Sequence, residues 1–559
     1  MARRDENDGE KFPMIDPRLD LLYYLQNFQS AIHWLAEIYC DLLSPDERAF
    51  IETFAALPVS AQALLVRLIM RKHDIFRGTK VCYPEIGDIE VAATPLVEVG
   101  FVDDGPLLSL SDLFELLRRD EINELFRLNA AARRMTKPTL LAALQPQHLH
   151  PRELESWRGV DDECAYRVLV AELCVRLRLL FFGSFHQEWS EFVLADLEIF
   201  KYERVDLGRQ SRGFQSRADI ESFYRIHRCR SELQDRARLD QAFASVPTEP
   251  IENAWLEDRR SKLLFEIAHR YERQGDVSRA LAIYRQSSYP GARLRAIRVL
   301  ERAGLHGEAI DAALQAASAP ESAAELQGLE RIIARLYRSA GIDVEPRPRV
   351  RPAQLDLHLD PLETRVEECV RLHLASTAAP VFYVENALIT SLFGLLFWDA
   401  IFAPIPGAFF HRFHSAPMDL YDPDFVRRRQ SIIDACFAQL DTADYVACIR
   451  QRFSEKTGTS SPFVAWGLLE EPLLDLALRC IPASHLRLFF QRILDDIREN
   501  CTGLPDLIQF WPQEGCYRLI EVKGPGDRLQ DHQQRWAQFC AAHDMPICIA
   551  NVRWAEARA

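Results

Sequence analysis

The sequence predicts a multidomain, mostly α-helical protein that ends in a small α/β core. Its 559 residues exceed what one hydrophobic core organises, and about three or four domains fit such a length. Apolar residues recur at helical spacing over residues 1–75 and again over 262–318, the mark of helices with one buried face. Towards the C-terminal end two short apolar runs, a helical stretch and a last apolar run read as strand, strand, helix and strand. The chain is 48% hydrophobic, ample for several cores.

The elements follow in order. Leu21-Leu22-Tyr23-Tyr24-Leu25, then Ile32, Trp34, Leu35 and Ile38, carry the first amphipathic helices of a domain set at 1–105. From 76 to 105 short apolar alternations broken by Gly and Pro, including Val81-Cys82-Tyr83 and Leu96-Val97-Glu98-Val99, read as a small β excursion resembling a wing. Arg71, Lys72, Arg77 and Lys80 beside it are either phosphate contacts or a solvated basic face. In the next region, 106–245, Glu121 to Phe126 and Leu140-Leu141 give two short helices around the basic turn Arg133-Arg134-Met135-Thr136-Lys137. Further on, Arg209, Arg212, Arg217, Arg225, His227, Arg228 and Arg230 are interleaved with Phe214, Phe223 and Tyr224. That pattern suits phosphate contact with base stacking, and it equally suits an amphipathic helix with its aromatics in the core.

Over 246–345, Ala268, Tyr271, Gly275, Ala280 and Tyr284 follow the small-large-Gly-small-aromatic order of a TPR hairpin. Ala296, Val299, Gly304 and Ala309 repeat it, with Gly275 and Gly304 twenty-nine apart. Such TPR-like pairs predict a scaffold or a surface for a protein partner. Pro346-Arg347-Pro348-Arg349-Val350-Arg351-Pro352 then reads as a stiff basic linker. It leads into a last domain at 353–559, with a helical insertion at about 410–500.

Chemistry concentrates in that last domain. Asp506 opens the run Leu507-Ile508 after Gly503-Leu504-Pro505. Glu521 and Lys523 stand two apart before the stop Gly524-Pro525-Gly526. Alternation along a strand puts Tyr517, Leu519, Glu521 and Lys523 on one face and Arg518, Ile520 and Val522 on the other. Two carboxylates and an ammonium therefore meet at the mouth of a hairpin. Carboxylates are hard oxygen ligands suited to Mg²⁺ or Mn²⁺, ions that generate hydroxide and neutralise charge on a phosphodiester. A Glu-Val-Lys triplet alone also fits a solvated strand face, and Pro-Asp alone a turn. The ordered spacing, the stop and the helix that follows favour the chemical reading. Asp527 is placed to cap that helix, with Leu529, Gln533 and Trp536 facing the sheet. Gln533 is thus polar on an apolar stripe. Met545 to Val552 supplies the last strand.

A third acid, Glu385, precedes the apolar run Asn386 to Asp399. It is either a ligand at a helix N-terminus, where the dipole favours a carboxylate, or a simple first-turn glutamate. The stretch Ala387 to Phe410 is read as buried core and not as a membrane span, because Asp399, Pro404 and Pro406 interrupt it.

Asp506, Glu521 and Lys523 in this order resemble the PD-(D/E)xK nuclease signature. More specifically, GLPDLIQFW…YRLIEVKGPGDRLQDHQQRW, with VEN…SLFGLLFWD thirteen residues from Glu385 to Trp398, resembles the VRR-Nuc domain of the Fanconi-associated nuclease family, in a bacterial member. The resemblance implies a C-terminal α/β PD-(D/E)xK core behind helical N-terminal, SAP-like and TPR-like regions. It implies that Glu385, Asp506, Glu521 and the Val522 main-chain carbonyl hold one or two Mg²⁺ or Mn²⁺ ions. Lys523 would be the catalytic lysine and Gln533 its support. The short helices around Arg133, Arg134 and Lys137 resemble a SAP module, lacking its usual glycine turn, with these three residues on the DNA backbone. The activity implied is structure-selective cleavage near 5′ flaps, with 5′-to-3′ exonuclease action, in interstrand-crosslink repair. A Holliday-junction resolvase and a non-catalytic DNA scaffold are the alternatives. The acids and lysine in place speak against the scaffold. The long helical front half speaks for a monomer on DNA.

Composition sets limits. A net charge of −15 argues against a protein that coats nucleic acid uniformly, so DNA contact requires local basic patches. Basic residues are overwhelmingly Arg, which makes Lys523 one of few lysines. Thirteen cysteines with no Cys-x-x-Cys and no zinc spacing predict reduced thiols and no zinc finger. The opening Met-Ala-Arg-Arg-Asp-Glu is charged and shows no signal peptide, so a cytoplasmic protein, on the nucleoid when bound to DNA, is expected. No Walker loop, Gly-x-Ser-x-Gly elbow or His-Glu-x-x-His occurs, which leaves ATP-driven and serine-hydrolase chemistry without support.

Overall fold

Tyr24, Leu25, Phe28, Ala31, Ile32 and Leu35 fall about one turn apart along helix Tyr23–Ile38 and are all buried. Helix Pro45–Ala56 starts on a capping box in which Ser44 and Glu47 satisfy each other's backbone N–H groups, and it packs on the first helix together with Val59–Ile69. The computed structural model describes residues 21–71, 73–158, 164–184, 189, 201–234, 238–342, 351–360, 363–411 and 414–555. The charged opening, Lys72 and Pro346 to Val350 of the expected linker lie outside the described residues. The chain forms two compact units, Met1–Lys201 and Tyr202–Ala559.

In the first unit the β excursion is real but built differently from the expectation. Strands β1 (Ile75–Arg77) and β2 (Val102–Asp103) both pair antiparallel with β3 (Ala165–Val168), with Phe76 opposite Tyr166 and Val102 opposite Val168. Val81 to Tyr83 form no strand. Leu96 to Glu98 end a helix, Ile89–Glu98, whose first N–H groups bond the Asp88 side chain. A cap and a buried helical face of Ala92, Ala93 and Leu96 override four residues of alternation. Downstream, helices Leu110–Leu116, Arg119–Leu125 and Lys137–Leu144 enclose Leu108, Leu113, Phe114, Ile122, Leu140 and Trp157. In place of the absent glycine turn, Arg127 takes the left-handed conformation, φ 47°, and lets Leu128 N–H reach back to the Asn123 carbonyl at 3.0 Å.

The second unit begins with helical hairpins. Helices Ala254–Gln274, Val277–Tyr284, Ala292–Arg302, His306–Ser318 and Ala323–Ser339 each pack on the next. Gly275 and Gly304 follow helix ends with φ of 85° and 79°, and Ala268, Ala280 and Ala309 are fully buried where the helices approach.

A five-stranded sheet closes the unit, in the order β4 (Ala353–Leu359), β8 (Ile547–Trp554), β7 (Cys516–Lys523), β6 (Leu507–Trp511) and β5 (Val381–Tyr383). β4, β8 and β7 run parallel, while β7, β6 and β5 are antiparallel. The expected strands are joined by two from upstream. Ile520 and Val522 pack on one face with Val370 of helix Val366–Leu374. Tyr517 and Leu519 pack on the other with Leu392, Phe489 and Trp536. Helix Leu388–Leu396 is buried on every side. The helices between Gln430 and Asp495 supply Ile433, Phe437, Ile449, Leu474 and Phe490 to this same core. No helix among the described residues is long and apolar enough to cross a membrane.

Candidate active site

The β6–β7 hairpin places the acids. Leu507 pairs with Ile520, so Asp506 and Glu521 lie just beyond that pair, on neighbouring strands. Asp506 Oδ2 accepts the Val522 N–H at 2.8 Å, and the Asp506 carbonyl accepts the Val384 N–H at 2.8 Å. Asn386, at φ 51°, accepts the Leu504 N–H on its Oδ1 at 3.0 Å. The loop before β6 is thereby tied to the turn that carries Glu385. Lys523 Nζ sits 2.7 Å from Glu521 Oε1 and donates to Gln533 Oε1 at 3.1 Å. That same oxygen accepts the Gln530 N–H at 3.0 Å.

Burial governs the electrostatics. Asp506 is 6% exposed and Glu521 1%. Burial pushes the Asp506 carboxyl up to about 6; the Val522 N–H and Lys523 pull it down, and Glu385 and Glu367 add to the rise. Glu521 is pushed up to about 7, first by burial and then by Asp506, against the pull of Lys523. Two buried acids that hold their protons this tightly form a pocket short of positive charge.

Glu385 departs from the expected place. The helix begins only at Leu388, and Glu385 lies exposed in the preceding turn, its carboxylate accepting the Tyr383 hydroxyl. Asp527 does not cap its helix. It accepts the Gly524 N–H at 3.0 Å in the turn, and helix Asp531–Ala542 starts instead on a Gln530–Gln533 capping box. Among the described residues no three His, Cys, Asp or Glu side chains stand ready as a cation cage. The donor set nevertheless suits a hard divalent ion. Glu521 Oε1 is buried and, apart from the Lys523 ion pair, has no hydrogen-bond partner. Glu367, in the first turn of helix Val366–Leu374, is a further acid that sequence reasoning missed; its neighbour Glu368 is taken by Arg371 at 2.6 Å.

The basic residues are a mixed set. In the first unit Arg133 and Arg134 are exposed, with Arg133 Nε donating to the Leu128 carbonyl at 2.9 Å. Lys137 Nζ donates to the Leu117 carbonyl at 3.0 Å. Arg71 is exposed, its guanidinium 5.3 Å from the Tyr83 ring, and Lys80 is exposed, whereas Arg77 is buried against Glu121. In the second unit Arg217 pairs with Glu221 at 2.6 Å, Arg228 with Glu232 at 3.9 Å and Arg230 with Glu266 at 2.8 Å. Arg225 donates to the Ser245 carbonyl at 3.4 Å, and Arg209 is exposed. Arg212 is only 7% exposed, so it is no surface contact. Phe214 and Phe223 lie 5.1 Å apart, tilted, in the core beside Trp255, so these two aromatics are packing.

Three family models match: "FAN1, HTH domain" over 22–103, "Fanconi anemia-associated nuclease SAP domain" over 107–157 and "VRR-NUC domain" over 441–554. The last begins inside the helices after Gln430, so Glu367 and Glu385 lie outside it. The Fanconi-associated nuclease 1 homolog of Pseudomonas aeruginosa is 49% identical over 546 residues, 97% of this chain and 98% of that protein. The Arabidopsis thaliana homolog is 25% identical over 95% of this chain and 67% of its own length. A crystal structure of paFAN1 bound to 2-nt 5′-flap DNA with a gap superposes with a TM-score of 0.88 at 50% identity, covering 96% of this chain and 99% of that one. Matched over nearly its whole length in sequence and fold, the chain belongs to the Fanconi-associated nuclease 1 family of structure-selective DNA nucleases.

Proposed function

We propose that this protein is a divalent-metal-dependent phosphodiesterase that cuts DNA near 5′ flaps and proceeds as a 5′-to-3′ exonuclease in the repair of interstrand crosslinks. The carrying observation is the convergence of Asp506, Glu521 and Lys523, with Lys523 held 2.7 Å from Glu521 and 3.1 Å from Gln533. Asp506, Glu521, Glu385 and the Val522 carbonyl would hold Mg²⁺ or Mn²⁺. When bound, such an ion lowers the pKa of water and neutralises phosphate charge. The remaining work belongs to the chain. Lys523, fixed by Gln533, orients the attacking water and steadies the charge that develops on the phosphate. Val522 N–H keeps Asp506 in place. The relative bound to flapped DNA supports the substrate class, and the exposed basic residues supply its backbone contacts, with the protein acting as a monomer in the bacterial cytoplasm. The test is a labelled panel of 5′ flaps, 3′ flaps, junctions and duplexes with Mg²⁺, Mn²⁺ or EDTA. Cleavage that persists in EDTA, or that ignores the flap, overturns the reading.

Glu385→Gln should weaken Mn²⁺ affinity and cut the rate by about a hundredfold without changing the fold by circular dichroism. Near-normal cleavage at low Mn²⁺ would leave Glu385 as the partner of Tyr383 alone. For the DNA backbone, replacing Arg133, Arg134 and Lys137 together by Ala should lower affinity for flap and plain duplex alike. It should also reduce the salt slope by roughly one for each phosphate no longer neutralised. Arg212→Ala, at a buried position, should lower stability and leave that slope alone. A triple variant with the wild-type slope places the DNA path elsewhere.

A further inference from the structure

The helical hairpins end on Ala323–Ser339, and this helix packs against Asp531–Ala542, the helix that carries Gln533. Arg331 grips Asp531 with both terminal nitrogens, Nη2 donating to Oδ1 at 2.6 Å. One turn back, Gln327 Oε1 accepts from Arg535 Nη1 at 2.8 Å and Gln327 Nε2 donates to Gln534 Oε1 at 3.4 Å. Arg535 Nη2 donates to Glu499 at 2.8 Å. Residues 531, 534 and 535 bracket Gln533, so the turn that positions it is held from outside the sheet. Its other side has no slack. Gly503, at φ +82°, lies so close that a Cβ there would stand 2.7 Å from the His532 carbonyl carbon and 2.9 Å from the Gln533 nitrogen. Any tilt of this first turn moves Gln533 Oε1, and with it the acceptor that holds Lys523.

We infer that the last helix of the helical hairpins is a positioning element for the reaction, with Arg331 and Gln327 setting the place of Lys523 through Gln533. The inference rests on the roles given above to Lys523 and Gln533. Arg331 and Asp531 are 45% and 53% exposed, and an ion pair that open adds little to stability. What it supplies is geometry, and a sub-ångström misplacement in an active site is costly in rate. The hairpins thereby become coupled to catalysis, so that whatever displaces them alters turnover.

The experiment measures kcat and KM on a 5′-flapped DNA with saturating Mn²⁺, and the melting temperature, for the full-length protein. Arg331→Ala should lower kcat about three- to tenfold with KM and melting temperature unchanged. Gln327→Ala should lower kcat by a similar factor at unchanged KM, with a lower melting temperature because its amide is buried and hydrogen-bonded to Arg535 and Gln534. In a Gln533→Ala background, Arg331→Ala should cost nothing further, because the route it acts through is gone. Wild-type kcat in both Arg331→Ala and Gln327→Ala overturns the inference, as does a loss that adds in full to that of Gln533→Ala. The failures are separable: a Gln533→Ala variant at the wild-type rate removes the role of Gln533 itself and takes this route with it. A slow Gln533→Ala beside unaffected Arg331→Ala and Gln327→Ala removes the clamp alone.

Discussion

Asp506→Ala and Glu521→Ala should each lower cleavage of flapped DNA by at least about a thousandfold while leaving DNA binding in the absence of metal near that of the wild type. Both carboxylates are buried, at 6% and 1% exposure, and neither faces solvent from which a second donor could be recruited. Removing one takes away one of the two buried carboxylates of the set. Lys523→Ala should lose about a hundred- to a thousandfold in rate, the range for a single group that stabilises developing charge, yet still bind Mn²⁺, because Lys523 holds no ion itself. Single-turnover cleavage, fluorescence anisotropy with labelled flap DNA and a Mn²⁺ thermal-shift titration separate the three effects. Turnover at the wild-type rate by any of the three variants removes that residue from the site.

Metal binding should be strongly pH-dependent. Asp506 is pushed up to about 6 and Glu521 to about 7, above the ordinary values of about 3.9 and 4.3 in an unfolded chain. Between about pH 4 and 7 the folded protein therefore holds protons that the unfolded chain has released, and the contribution of these groups to metal-free stability falls as pH rises through that window. A cation must displace those protons. The rise in melting temperature caused by Mn²⁺ should be large at pH 8 and fade as pH falls through about 7 to 6. Asp506→Asn is neutral at every pH and can still accept the Val522 N–H. It should stabilise the metal-free protein at pH 8 by about 3 kcal/mol, abolish cleavage and erase the pH-dependent metal response. An equal Mn²⁺ shift at pH 6 and pH 8 would show that the buried protons and the ion do not compete.

The parts of the site that can be read in advance are those set by short-range geometry. Strand alternation alone puts Glu521 beside Lys523, and a polar residue on an apolar stripe singles out Gln533; the structure joins all three within 3.1 Å. Local competition misleads elsewhere. Asp527 is spent on the Gly524 turn, only three residues away, and does not reach the helix it would cap. The alternation at Leu96 to Val99 loses to the Asp88 cap. Glu385 precedes a helix that starts two residues later than its apolar run suggests, because the left-handed turn at Asn386 has no hydrophobic period to announce it.

Other features depend on partners far away in the chain. β3 pairs with β1 about ninety positions upstream, and β5 pairs with β6 across more than a hundred; no window of sequence contains both members of such a pair. Glu367 is an ordinary helix-start acid until folding brings it within electrostatic reach of Asp506. The Arg209 to Arg230 stretch shows charge without showing that Glu221, Glu232 and Glu266 pair with it or that Arg212 is buried. By itself the sequence determined the identity and order of the candidate site residues and the face of the strand they occupy, since these follow from covalent order and a two-residue period. Only the tertiary structure decided which acids are buried side by side and which basic residues remain exposed, because burial and charge pairing are properties of neighbours in space.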